Sequence, residues 1–176
     1  MTFLKNKNLS IIGGAGHVGF PLGLVLASKG YKVNLIDKNL KNLKKILKGK
    51  PPFLEEGANK LLKNVNKKKN IIINSELKTI TDSKFIIICI GTPINKSLKP
   101  KLKEFLNFFK SLKKFVKKEQ IVIIRSSIYP GTFSKIAKIL KKKNSNIFYC
   151  PERIVQGKSI KKLPKIPQKN LSAKKK

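Results

Sequence analysis

The 176 residues predict an α/β fold, a doubly wound parallel sheet forming a single domain. Three observations carry this. Short apolar runs alternate along the chain with segments of helical spacing. The connections between runs are long crossovers, so the strands pair in parallel and need helices over both faces. Residues with chemical capability fall just after the runs, where ligands bind in such sheets.

The first run, residues 9–12, leads into Gly13-Gly14-Ala15-Gly16-His17-Val18-Gly19, after which Val18, Leu22, Val25 and Leu26 share a helical face. Strand, glycine turn and helix together read G-x-G-x-x-G from Gly14 to Gly19, a Rossmann-like dinucleotide signature. In that context Gly14 permits the tight turn, Gly16 lets the backbone approach a pyrophosphate, and Gly19 lets the helix lie close to the strand. The phosphates would rest on N–H groups at the helix N-terminus. Gly14, Gly16, His17, Val18 and Gly19 are therefore candidate cofactor contacts. The second strand, residues 31–36, ends in Asp37, 18 residues after Gly19. A carboxylate there hydrogen-bonds the adenosine ribose and repels a 2′-phosphate, favouring NAD over NADP. Lys38 beside it blurs that preference, and Asp37 alone has a second reading as a cap of the next helix.

Leu40, Leu43, Ile46 and Leu47 give a second helix over 38–48, broken by Lys50-Pro51-Pro52. A turn at 53–57 and a short helix at 58–65 follow, then a short buried strand at 71–73. Residues 85–90 are a continuous apolar run of the kind a strand buried on both faces needs, ending at Gly91-Thr92-Pro93. Leu102, Phe105, Leu106, Phe109 and Leu112 mark the next helix. Residues 121–124 form another buried strand, ending at Arg125-Ser126-Ser127. Tyr129-Pro130-Gly131-Thr132 opens a helix through Leu140, and 147–150 is expected to be the last strand.

The charge is extreme, 41 Lys plus Arg against 8 Asp plus Glu for a formal +33. Such a balance ordinarily points to nucleic acid or an anionic membrane. All but Arg125 and Arg153 of the 41 are lysines, however, and they are spread among many Ile and Asn residues. A nucleic-acid reader invests in Arg forks, so the pattern reads as a compositional bias and no specific nucleic-acid partner is expected. Nonspecific binding at low salt is. Cys89 and Cys150 form no C-x-x-C and no metal cluster, which excludes a disulfide framework and a zinc site and fits a reducing cytoplasm. No stretch approaches the length of a membrane span.

Five motifs carry a resemblance: Gly14-Ala-Gly-His-Val-Gly-Phe-Pro21, Pro52-Phe-Leu-Glu-Glu-Gly57, Cys89-Ile-Gly-Thr-Pro93, Ser126-Ser-Ile-Tyr-Pro-Gly-Thr132 and Tyr149-Cys-Pro-Glu-Arg-Ile-Val-Gln-Gly157. In this order and spacing the chain resembles, over roughly residues 8–165, the N-terminal NAD-binding domain of the UDP-glucose/GDP-mannose (nucleotide-sugar 6-) dehydrogenases. It looks most like members acting on UDP-glucose or UDP-N-acetylhexosamines. The family oxidises the C6 alcohol of a nucleotide sugar to a carboxylate, passing two hydrides to two NAD⁺, and is homo-oligomeric. The resemblance implies NAD as cofactor and a UDP-sugar as substrate. It places Thr92 in the cofactor site, Ser127 beside a positioned water where the family usually has Thr, and Glu152 near the reacting carbon, where a carboxylate assists proton transfer. Arg153, Ile154 and Gly157 would join Glu152 in touching the substrate, and Glu55 is expected to be a structural turn carboxylate.

The residues by themselves leave blander readings open. Ser126, Ser127 and Thr132 are suited to capping the following helix. Glu152 is suited to a solvent-facing turn, paired with one of many lysines. His17 is not expected to be catalytic, and Cys89 packs as a small hydrophobe inside its strand. Cys150 is not the family's nucleophile, which belongs to a later G-x-C-x-P-x-D motif that these residues lack. The expected organisation is an NAD-binding domain over 1–164 and a lysine-rich, structureless tail over 165–176. The central catalytic and C-terminal domains of the family are missing, so the chain is expected to be inactive alone. The rival readings are a stand-alone NAD-binding or sensing module, including one that pairs with a separately encoded C-terminal half, and a basic nucleic-acid-binding protein.

Overall fold

A computed structural model describes residues 8–95, 97, 100–141, 146–153, 156–165 and 171–172. The apolar runs form the strands β1 (Asn8–Ile12), β2 (Lys32–Ile36), β3 (Ile71–Asn74), β4 (Phe85–Ile88), β5 (Ile121–Ile124) and β6 (Asn146–Tyr149), with β7 (Leu171–Ser172) last. Between them lie α1 (Gly19–Ser28), α2 (Leu40–Leu47), α3 (Ala58–Lys67), α4 (Leu102–Leu112) and α5 (Thr132–Lys141), and α6 (Ser159–Lys162) follows β6. The sheet order is β3-β2-β1-β4-β5-β6-β7. All neighbours pair in parallel except β7, which runs antiparallel to β6. The winding reverses between β1 and β4, the switch point at which a doubly wound sheet opens a crevice.

Alternation along the strands sends successive side chains to opposite faces, and both faces are buried. Ile11, Leu35 and Ile87 join Phe20, Leu24, Leu43, Ile46 and Leu62 under α1, α2 and α3. Ile12, Ile36, Ile86, Ile88 and Ile124 join Phe105, Phe109, Leu112, Ile136 and Leu140 under α4 and α5. On the second face, which it shares with Ile36, buried Asn34 is fully engaged. Its amide donates to Ser10 Oγ (3.2 Å) and Thr79 Oγ1 (3.1 Å), and its oxygen accepts from Asn74 Nδ2 (2.7 Å). One polar side chain thus pins β1, β2 and β3 in register.

The register aligns the strand ends. Ile36, Ile12, Ile88, Ile124 and Tyr149 are successive partners across the sheet. The residue after each of them, Asp37, Gly13, Cys89, Arg125 and Cys150, therefore stands in one row along the carboxyl rim.

Several expectations need correction. Residues 71–73 are not a buried strand: β3 is the sheet's edge and Ile72 is 53 % exposed. The run 85–90 stops as a strand at Ile88, leaving Cys89 and Ile90 in the rim loop. The strand at β6 is not the last, because two residues of the expected tail pair with it as β7. On α2, Leu43 and Ile46 are buried while Leu40 and Leu47 are exposed.

Candidate dinucleotide site and the substrate rim

The glycine turn is fastened to the second strand. Gly13 and Gly14 both donate to the Ile36 carbonyl, at 2.9 and 3.0 Å. The left-handed residue of the turn is Gly13 (φ 81°), one position before the motif. Gly14 is required for space instead, since a Cβ there would sit 2.9 Å from the Cα and Cβ of Leu35. A Cβ on Gly19 would come within 2.2 Å of the Gly13 carbonyl oxygen, so the helix can start this close to the strand only with glycine. On Gly16 it would meet only that same oxygen, at 3.3 Å, leaving one side of the loop open. α1 begins with no side-chain cap and no acidic residue in its first turn. The N–H groups of His17 and Val18 have no hydrogen-bond partner among the described residues. Uncapped N–H groups at a helix N-terminus are an anion site.

Asp37 faces this loop and ties it down. Its Oδ2 accepts from the Ala15 N–H (2.9 Å) and its Oδ1 from the Asn39 N–H (2.9 Å). The cap of α2 is Asn39, whose side chain accepts from the Asn42 N–H at 3.0 Å. Asp37 is therefore not the helix cap of the blander reading. A carboxylate offers about four lone-pair sites, and Asp37 uses two.

Together these groups border a cleft of about 660 Å³. Gly13, Gly16 and Asp37 form one wall, Cys89, Gly91 and Pro93 another, and α4 supplies Phe105, Asn107, Phe108 and Ser111. The sequence reading missed the α4 wall and Leu77, which comes from a 3₁₀ turn over Leu77–Asp82. The signal was available for α4, since 107, 108 and 111 recur at helical spacing beside the core face.

The other end of the rim is arranged differently. Thr92 Oγ1 donates to the Ser127 carbonyl (3.0 Å), joining the loops after β4 and β5. Ser127 is exposed. Glu152 is not solvent-facing, and it is paired with an arginine. Its side chain is 5 % exposed, its Oε2 is bound by Arg125 Nη2, and its Oε1 accepts from the Arg153 N–H at 2.8 Å. Arg125, itself buried, also points Nη1 at Cys150 Sγ, 3.5 Å away. Burial pushes the Cys89 thiol up to about 12, only partly opposed by the Arg125 charge. The capping reading also fails at α5. Ser126 turns its hydroxyl to the Ile88 carbonyl (3.5 Å), and Thr132 Oγ1 is buried with no partner among the described residues.

Two further loops meet beside the glycine turn. Buried Glu55 accepts from the N–H groups of Gly157 (3.1 Å) and Ile160 (3.0 Å), and the Glu56 N–H donates back to the Gly157 carbonyl at 2.9 Å. Lys161 is ion-paired with Glu56. Gly157 is thus held by the 52–57 loop, and His17 stacks on Phe53 of that loop with ring centroids 3.9 Å apart. Arg153 is exposed, and Ile154 lies outside the described residues. Among the described residues no helix is long and apolar enough to cross a membrane.

A parallel sheet reversing at β1/β4, an open helix N-terminus approached by glycines at that point, and a carboxylate ending the second strand define a dinucleotide-binding domain of the Rossmann type. The chain belongs to the UDP-glucose/GDP-mannose dehydrogenase family, with residues 7–170 matching that family's NAD-binding domain. It is 32 % identical over 161 residues to a UDP-N-acetyl-D-mannosamine dehydrogenase of Methanococcus maripaludis, covering 89 % of this chain and 36 % of that protein. Protein CapL of Staphylococcus aureus is 31 % identical over 163 residues, at 88 % and 37 % coverage. The structure of the UDP-D-ManNAc dehydrogenase of Pyrococcus horikoshii superposes with a TM-score of 0.80 at 26 % identity, covering 89 % of this chain and 38 % of that one. The chain thus spans little more than a third of the length of these relatives. The family is NAD-dependent, and NAD is the cofactor of this domain.

Proposed function

We propose that this chain is the NAD-binding part of a nucleotide-sugar 6-dehydrogenase acting in the cytoplasm on a UDP-sugar, and that these residues alone bind NAD without completing the oxidation. The observation that carries the reading is the uncapped start of α1, where the His17 and Val18 N–H groups are unbonded, next to a cleft lined by Gly13, Gly16 and the half-used Asp37 carboxylate. The N–H groups fit a pyrophosphate and the carboxylate a ribose hydroxyl. Gly16 leaves room for the approach, and Gly14 and Gly19 hold the turn closed beneath it. NAD⁺, when bound, supplies the hydride acceptor.

The residues after β4, β5 and β6 then serve the substrate. Thr92 fixes the Ser127 loop, and the exposed Ser127 hydroxyl is free to position a water. Arg125 holds the Glu152 carboxylate in place through their ion pair. Arg153 offers its exposed guanidinium to the substrate diphosphate. Gly157 contributes shape, because its N–H is already given to Glu55. Cys89 lacks the setting of a nucleophile, which is a thiolate, because burial pushes its thiol up to about 12.

Titrating the 176-residue chain with NAD tests this. Saturable NAD binding is expected, with NADP at least about tenfold weaker because Asp37 repels its 2′-phosphate. Adding UDP-N-acetyl-D-mannosamine should yield no NADH. Absence of NAD binding would overturn the cofactor reading, and NADH production would overturn the inactivity alone.

A further inference from the structure

Away from the rim, α2 carries a feature that neither cofactor nor substrate reading uses. Lys41, Lys44, Lys45 and Lys48 follow at spacings of three and four, so they form one stripe along the helix. The helix then ends in a Schellman turn. Gly49 takes a left-handed conformation (φ 72°), its N–H donates to the Ile46 carbonyl (2.9 Å), and the Lys50 N–H returns to the Lys45 carbonyl (3.0 Å). This folds Lys50 back beside the stripe. The five lysines line an open groove of about 350 Å³ that shares no residue with the cofactor cleft.

A solvated face is the plain alternative, and Lys44 and Lys45 do suit the negative end of the helix dipole. It does not account for the rest. α2 has no acidic residue, so the pairs 41/44, 41/45, 44/48 and 45/48 are all like-charge neighbours, each mildly destabilising. None of the five lysines is in an ion pair among the described residues. A bound anion would relieve that repulsion.

We propose that the α2 groove binds a single nucleic-acid strand through its phosphates. Lysines present point charges, and the groove has neither an Arg fork nor an aromatic platform with which to read or stack bases. From Lys41 to Lys48 the stripe is about 10 Å long at 1.5 Å per residue, matching about three phosphates at ~3.4 Å per charge along a duplex strand. This inference is independent of the dinucleotide reading.

The test measures binding of a labelled oligothymidylate to the full chain across a salt series. One variant carries K41Q, K44Q, K45Q, K48Q and K50Q together. A control removes equal charge elsewhere with K60Q, K63Q, K103Q, K110Q and K135Q, all exposed positions on α3, α4 and α5. At about 0.7 of slope per single-strand phosphate contact, the groove variant should flatten log K against log salt by about 2. It should also lose at least about tenfold in affinity near 0.1 M salt, against less than about threefold for the control. Equal losses in the two variants would overturn the site in favour of diffuse charge. Inorganic polyphosphate should displace the oligonucleotide, and failure to do so would mean that bases are held and overturn the phosphate reading. NAD binding by the groove variant reports that it is folded. Should it not fold, acetylation footprinting of the unmodified chain decides: bound oligonucleotide should protect the five groove lysines over the control five, and uniform protection would overturn the proposal.

Discussion

At the β1–β2 end of the rim, two backbone N–H groups lie unbonded at a helix start, and the Asp37 carboxylate has spent half its capacity on the loop it faces. At the β5–β6 end, the Arg125 and Glu152 side chains are only 8 % and 5 % exposed, bound to each other, and contacted by Cys150 and the Arg153 backbone. Both ends are built from the residue that follows a strand, and both use charge. One end leaves hydrogen-bonding groups available to a ligand, while the other has bound its two charged groups to each other. Perturbation should therefore read out as lost affinity at the first end and as lost stability at the second.

The largest effect is expected at the committed end. Arg125→Met leaves the Glu152 carboxylate buried without its counter-charge, and breaking such a pair costs about 3–5 kcal/mol. Denaturant midpoints at neutral pH should show that loss. The double change Arg125→Met with Glu152→Met should recover most of it, because no charge is then left behind. An Arg125→Met chain as stable as the unmodified one would mean that the rim there is open after all, and the contrast between the two ends would disappear.

Asp37→Ala tests the other side. A hydrogen bond to a charged group contributes roughly 1.5–3 kcal/mol, so NAD affinity should fall about 10- to 150-fold. The carboxylate also holds the Ala15 and Asn39 N–H groups, so some stability goes with it, about 1 kcal/mol for each bond that water does not replace. Calorimetric titration and melting of the same sample separate the two. An affinity loss no greater than the stability loss would make Asp37 a purely structural tie.

The open end was legible in the sequence because its signal is local. Glycines, a strand end and a carboxylate 18 residues on lie within one β-α-β unit, and what the motif did not show is that the left-handed residue is Gly13, one position before it. The committed end was not, because Arg125 and Glu152 are 27 residues apart and meet only through the β5–β6 register. In a chain of 41 basic residues Arg125 was counted as background. That only it and Arg153 are arginines, and that each closely follows a strand, was the available signal. The edge position of β3 was hidden for a related reason. Ile71-Ile72-Ile73 reads as apolar as the β4 run, and its exposure is set by strand order, which no local pattern encodes.

The smallest effect belongs to Thr132, where the loops after β4 and β5 converge between the two ends. It is 2 % exposed and its hydroxyl has no partner among the described residues, although it is the first residue of α5 and of a type that caps helices. Loss of a true cap costs about 0.5–2 kcal/mol, whereas replacing an unsatisfied buried hydroxyl by a methyl of the same shape is neutral or stabilising. Thr132→Val should therefore leave the denaturant midpoint within about 0.5 kcal/mol of the unmodified chain, or raise it. A loss above about 1 kcal/mol would mean that a buried water completes this hydroxyl. In that case the middle of the rim would be committed internally like the Arg125 end, and the open half of the site would stop at the loop after β4.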